Sequence, residues 1–182
     1  MIGMTANDMH ASFRVALLAT GGTLEKVYDP QSGELVLDAS VIERLVETLT
    51  QPDVSVQIER LMTLDSLDMQ ADDRGRIVDA VRERAMDTNV DAVVVTHGTD
   101  TLAKTAAALI DAPGTIRVPV VLTGAMVPWC MADSDASQNV AQALMACRLL
   151  TPGVFTVFHG RVIAGGDVVK DYERLTLTTR GS

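Results

Sequence analysis

The sequence repeatedly runs a short, continuous apolar segment into a stop built of glycine and threonine. "RVALLA" (14–19) runs into "TGGT" (20–23), "DAVVVT" (91–96) into "HGTDT" (97–101), and "VPVVLT" (118–123) into "GAM" (124–126). Segments this short, apolar along their whole length, read as strands buried on both faces. Between them lie stretches with helical spacing. Residues 39–49 carry Val41, Ile42, Leu45, Val46 and Leu49, residues 71–88 carry Ile77, Val78, Val81 and Ala85, and further helices are expected at 100–111 and 135–149. "VSVQIERLM" (54–62) alternates like a strand with one wet side, and "GVFTVF" (153–158) and "RVIAG" (161–165) read as strands joined tightly at His159-Gly160. "ELVLD" (34–38) is expected to pair as a short hairpin arm after the turn signals at Asp29-Pro30 and Ser32-Gly33. Alternating strands and helices predict a three-layer α/β fold, a mostly parallel sheet with helices on both faces. A chain of 182 residues fits one domain, expected over 13–180, and aromatics make up only 3% of it, so its packing must rest on aliphatic side chains. Residues 1–12 are polar and mixed and are expected to be disordered.

A net charge of −9 with no basic stripe argues against nucleic acid as a partner. No apolar run reaches the length of a membrane span, and the first residues lack the apolar core of a secretion signal. Two cysteines, Cys130 and Cys147, make no disulfide framework. A reducing, cytoplasmic setting is therefore expected.

In a parallel sheet, ligands bind beyond the carboxyl ends of the strands. The segments there are "TGGT", "TLDSLD" (63–68), "THGTDT" (96–101) and "LTGAM" (122–126), all rich in small hydroxyl residues and glycine. Gly21 and Gly22 allow positive φ and close approach of a ligand, which would leave Thr23 projecting from a tight turn as a nucleophile should. A plain strand-to-loop turn explains the same four residues. Thr99 and Asp100 fall where a helix is expected to start, and both suit a cap. Asp100 could equally pair with Lys104, four residues on. His97 reads as a satisfied interior histidine. The three histidines and two cysteines show no metal-ligand spacing, and no G-x-S-x-G elbow occurs. Lys170, in "GGDVVK" (165–170), follows a strand and is either a pocket lysine or a surface lysine beside Asp171. As a base it would need its pKa brought from about 10.4 to about 7, a differential interaction of roughly 4–5 kcal/mol that calls for desolvation.

Taken together, "ATGGTL" (19–24), "DSLDM" (65–69), "THGTDT" (96–101), "LTGAMVP" (122–128) and "DVVK" (167–170) resemble the L-asparaginase/glutaminase family, in the family's order, over about residues 14–175. The resemblance implies the fold of that family's N-terminal catalytic domain. It also implies hydrolysis of the side-chain amide of L-asparagine or L-glutamine through a threonine-bound acyl-enzyme, with no metal or cofactor. It assigns Thr23 as nucleophile, Thr99, Asp100 and Lys170 as the activating group, and Tyr28 as an assisting tyrosine on a mobile loop. It places Gly22, Asp65, Ser66, Leu67, Gly98, Thr99, Asp100 and Ala125 around the substrate, with Ser66 on the α-carboxylate and Asp100 on the α-amino group. A homo-oligomer is implied as well. Three departures stand out. The sequence ends soon after the lysine motif, so no second, C-terminal domain is expected. Leu67 stands where a glutamine is common. The loop after Thr23 is short. A binding module without catalysis, and an amidase subunit working with a partner, are the alternative readings.

Overall fold

The computed structural model describes residues 12–112, 114 and 116–181. The expectation for residues 1–12 falls outside these, apart from Ser12. Among the described residues, ten strands and four α-helices follow one another: β1 (Phe13–Gly21), β2 (Lys26–Asp29), β3 (Glu34–Leu37), α1 (Val41–Thr48), β4 (Val54–Leu64), α2 (Ala71–Met86), β5 (Ala92–Thr96), α3 (Leu102–Asp111), β6 (Pro119–Thr123), α4 (Ala136–Cys147), β7 (Gly153–Phe158), β8 (Arg161–Ala164), β9 (Val168–Asp171) and β10 (Thr176–Thr179). Six strands form the main sheet in the order β4-β1-β5-β6-β7-β8. The first five are parallel, and β8 closes the edge antiparallel to β7.

Strand alternation splits the apolar residues between the two faces. Val15, Leu17 and Ala19 of β1, with Val94 and Val121, pack under α1 and α4 against Ile42, Leu45, Val140 and Leu144. Ala16 and Leu18, with Val93, Val95 and Leu122, pack under α2 and α3 against Ile77, Val81, Leu102 and Leu109. β1, β5 and β6 are buried on both sides, which is why their sequences are continuously apolar. The three-layer α/β architecture agrees with the expectation. None of the described helices is long and apolar enough to cross a membrane.

The topology also says where a ligand fits. From β1 the chain crosses to β4 on one side, whereas from β5 it moves to β6 on the other. The carboxyl ends of β1 and β5 therefore flank the point where the winding reverses, the usual crevice of such sheets. "TGGT" and "THGTDT" follow those two ends.

Two small hairpins lie outside the main sheet. β2 pairs antiparallel with β3, as the turn signals indicated. β9 pairs with β10, a hairpin that the sequence pattern does not reveal. Lys170 accordingly lies within β9 and does not follow a strand; Leu177 is its cross-strand partner. The helix expected from residue 100 starts at Leu102, with Thr101 at its N-cap.

Candidate active site

Four turns converge at the winding reversal, and glycines let them meet. Gly22 (φ +83°) lies against the backbone of Gly98: a Cβ there would sit 2.5 Å from Gly98 N. A Cβ on Gly98 would in turn sit 2.5 Å from Ser66 Oγ. The "TGGT", "DSLD" and "THGTD" turns are thus in direct van der Waals contact because side chains are absent. Gly124 brings the fourth turn in. A Cβ on it would lie 2.2 Å from His97 O and 3.7 Å from Thr99 Cγ2, and Ala125 beside it is buried.

Thr23 opens a short 3-10 turn, Thr23–Glu25. It is half-buried, and its hydroxyl has no hydrogen-bond partner among the described residues. Thr20, the earlier threonine of the motif, is spoken for: it is buried, and its hydroxyl donates to Thr96 O at 2.7 Å, stitching β1 to β5.

Lys170 reaches the site from the β9–β10 hairpin. Its Nζ donates to Thr99 Oγ1 at 2.8 Å and to Asp100 Oδ1 at 2.9 Å. The lysine side chain is only 14% exposed, so this is a pocket lysine rather than a surface one. Asp100 neither caps α3 nor pairs with Lys104. Because α3 starts two residues later than the cap pattern implied, Asp100 is free to turn towards Lys170. Thr101, at the actual N-cap position, donates its hydroxyl to Ser66 O at 2.8 Å and makes no side-chain cap bond. Thr99 Oγ1 also contacts Met126 Sδ at 3.6 Å.

Ser66 is fully buried, and its Oγ has no hydrogen-bond partner. A buried hydroxyl left unmatched is costly, and this one faces the turns just described. Asp65 is held by Lys26, whose Nζ lies 2.7 Å from Oδ2, and by the Leu67 N–H at 3.1 Å. The Lys26 hydrogen bond above all keeps its carboxyl below the usual range, against the opposing effect of burial. Leu67 itself is 68% exposed. His97 is interior: its Nδ1 lies 2.8 Å from Gly98 O and its Nε2 2.8 Å from Thr105 Oγ1. Burial pushes its pKa down to about 4, so the ring is neutral and serves as a strut beneath Gly98.

The structure thus links Gly22, Ser66, Gly98, Thr99, Asp100 and Lys170 by direct contacts or as chain neighbours, with Thr23 next to Gly22, Ala125 next to Gly124, and Asp65 and Leu67 at the Ser66 turn. Tyr28 lies on β2, is 61% exposed, and makes no hydrogen bond or ring contact with Thr99, Asp100 or Lys170 among the described residues. A different tyrosine takes a place in the cluster. The Tyr172 hydroxyl lies 3.4 Å from Asp100 Oδ1, and Lys170 Nζ sits 5.2 Å from the Tyr172 ring centroid. Sequence reasoning missed it. Tyr172 lies in the turn just beyond β9, and its only signal was its nearness in sequence to Lys170.

An anchor outside the motifs supports the fourth turn. Asp135 accepts the N–H groups of Met126 and Val127, Asn139 Nδ2 and His159 Nε2, all between 2.8 and 3.1 Å. His159, at φ +46°, also lies 2.9 Å from Thr176 Oγ1 on β10 through its Nδ1. The Ala125 turn and the hairpin that carries Lys170 therefore share one hydrogen-bonded strut.

The N-terminal asparaginase family model matches residues 14–174. The L-asparaginase of Thermococcus kodakarensis is 34% identical over 157 residues, 86% of this chain and 47% of that protein. A solved structure of a thermostable L-asparaginase from Thermococcus kodakarensis superposes with a TM-score of 0.82 at 32% identity, covering 91% of this chain and 51% of the other. A glutamyl-tRNA(Gln) amidotransferase component from Aeropyrum pernix is 36% identical over 154 residues, 82% of this chain and 36% of that one. The chain thus spans about half or less of the length of these relatives. With a family match running from β1 into the turn of the lysine hairpin, this chain belongs to the asparaginase family, corresponding to its N-terminal domain.

Proposed function

We propose that the protein is an amidohydrolase that converts L-asparagine to L-aspartate and ammonia through a covalent ester on Thr23, with L-glutamine as a second candidate substrate. The observation that supports this most is the pairing of Lys170 Nζ with Thr99 Oγ1 at 2.8 Å and Asp100 Oδ1 at 2.9 Å, one residue beyond the backbone contact of Gly22 with Gly98. In this reading, that contact sets the unpartnered Thr23 hydroxyl beside the Thr99–Lys170 pair.

The Thr23 oxygen then attacks the side-chain amide carbon while the Thr99–Lys170 pair takes its proton. The C–N bond breaks, the proton leaves on ammonia, and water hydrolyses the resulting aspartyl ester. Ser66 Oγ, buried and unmatched, takes the α-carboxylate. Asp100 faces the α-amino group and orients Lys170. Backbone N–H groups of the four turns stabilise the oxyanion. Leu67 adds no hydrogen bond, so ground-state affinity is expected to be modest. We include self-association as a homo-oligomer in the proposal.

Replacing Thr23 by alanine tests this. Ammonia release from L-asparagine is expected to fall by on the order of 10³-fold or more, while the half-buried site leaves stability within about 1 kcal/mol. Near-normal turnover in Thr23→Ala would rule the nucleophile out. The likeness to an amidotransferase component supports a second reading, an amidase that acts only with a partner. A folded wild-type protein inert towards both free amino acids would favour it.

A further inference from the structure

The sequence sets an acid two residues after Thr23, and the fold buries it. Glu25 is 1% exposed and ends the 3-10 turn that Thr23 opens. Its Oε1 accepts the N–H of Gly21 at 3.2 Å, and its backbone carbonyl accepts the N–H of Asp38 at 2.9 Å. Its Oε2 has no hydrogen-bond partner, and neither has the buried Thr96 Oγ1 at the end of β5. These two oxygens sit on the two turns that flank the winding reversal.

The charged groups around Glu25 pull in both directions. Glu43 of α1 disfavours its ionised form, whereas the Gly21 N–H, the nearby Thr96 hydroxyl and Arg60 of β4 favour it. Arg60 is itself paired with Glu43. Asp38 has its own partners in the Ser40 N–H and Arg44, and Lys26 is committed to Asp65. Burial outweighs all of these and pushes the Glu25 carboxyl up to about 7.

We propose that Glu25 is a positioning residue for the amide hydrolysis. Its buried carboxyl holds the Gly21 N–H, and with a second bond that Oε2 would make to the nearby Thr96 hydroxyl it fixes the turn that presents Thr23. The inference rests on Thr23 being the reacting group. Unpartnered in the structure, the two buried oxygens would satisfy each other in the neutral form, Oε2–H donating to Thr96 Oγ1 while Oε1 keeps the Gly21 N–H. Ionisation removes that donor and sets a buried negative charge two residues from Thr23, where the transition state also develops negative charge. Both effects lower turnover.

The test compares wild type, Glu25→Gln and Glu25→Ala, with kcat and KM for ammonia release from L-asparagine followed from pH 5 to 9. Glutamine reproduces the bridge without a titrating proton. Its amide oxygen accepts from Gly21, and its NH₂ donates to Thr96. Below pH 7 it is expected to keep kcat within about threefold of wild type, while alanine loses about tenfold or more in kcat with KM little changed. Wild type should lose turnover as pH rises through about 7, and Glu25→Gln should lack that alkaline limb. A merely structural role would lower kcat equally at every pH and leave the limb in place. A Glu25→Gln protein that melts cooperatively yet is as impaired as Glu25→Ala overturns the proposal, as does an alkaline limb that survives the substitution.

Equilibrium unfolding supplies a readout independent of turnover. An acid whose folded pKa lies above its unfolded value binds more protons when folded. The stability of wild type relative to Glu25→Gln should therefore fall as pH rises from about 4.5 to about 7 and level off above. A pH-independent difference overturns the neutral acid. Wild type that releases no ammonia from either amino acid overturns the hydrolase reading instead, and the positioning role with it.

Discussion

Gly22→Ala tests the contact on which the site's geometry depends. An alanine Cβ at this position meets Gly98 N at 2.5 Å and Gly98 Cα at 2.6 Å. Both are backbone atoms, so no side chain can swing aside. Gly22 also adopts φ 83° and ψ −174°, a region essentially confined to glycine. Forcing alanine into it costs about 1–3 kcal/mol, and overpacking adds about 1–3 kcal/mol. The smaller conformational freedom of alanine in the unfolded chain returns about 0.4–1 kcal/mol. The net destabilisation is about 2–5 kcal/mol, which for a chain of this size lowers Tm by roughly 5–15 °C. Gly33→Ala is the matched control, since Gly33 has φ +74° but nothing within 4 Å of its would-be Cβ. It should lose only the strain contribution, about 1–2 kcal/mol. Thermal unfolding of both variants, with ammonia release at a temperature where each is folded, separates clash from strain. Turnover should drop in Gly22→Ala, because the Thr23 turn must retreat from Thr99, and stay intact in Gly33→Ala. A Gly22→Ala protein that melts within about 2 °C of Gly33→Ala and turns over normally would refute the reasoning.

Two further outcomes follow from burial and backbone. Gly75 lies inside α2 with nothing within 4 Å of its would-be Cβ, so Gly75→Ala should stabilise the protein by about 0.5–1 kcal/mol, read as a raised denaturant midpoint with an unchanged slope. Cys130 is exposed, whereas Cys147 is buried in α4 with its thiol pushed up to about 12 by desolvation. A thiol reagent should label Cys130 alone in the native protein and reach Cys147 only on unfolding; rapid labelling of both would contradict the packing of α4.

Much of the candidate site was legible before folding, because the elements that build it announce themselves locally. Apolar runs that end in glycine and threonine marked β1, β5 and β6, and the turns after them carry Gly22, Thr23, Gly98, Thr99, Asp100 and Ala125. Helical spacing marked α1, α2 and α4 to within a few residues. The cap at α3 was misread because Thr99, Asp100 and Thr101 are all good cap residues, and only tertiary contacts choose among them. Thr101 takes the position because its hydroxyl reaches Ser66 O.

What the residues alone determined, then, is the order of strands and helices and the chemistry offered at each strand end, since both follow from short-range periodicity. Only the tertiary structure decided who meets whom. Lys170 reaches Thr99 across 71 positions of sequence because a small hairpin without strong alternation folds back over the winding reversal. The same hairpin brings in Tyr172 while Tyr28 faces solvent. Glu25, polar and two residues after Thr23, carries no sign of burial in the sequence, and only the fold closes over it. Such pairings depend on sheet order and burial, which no local pattern encodes.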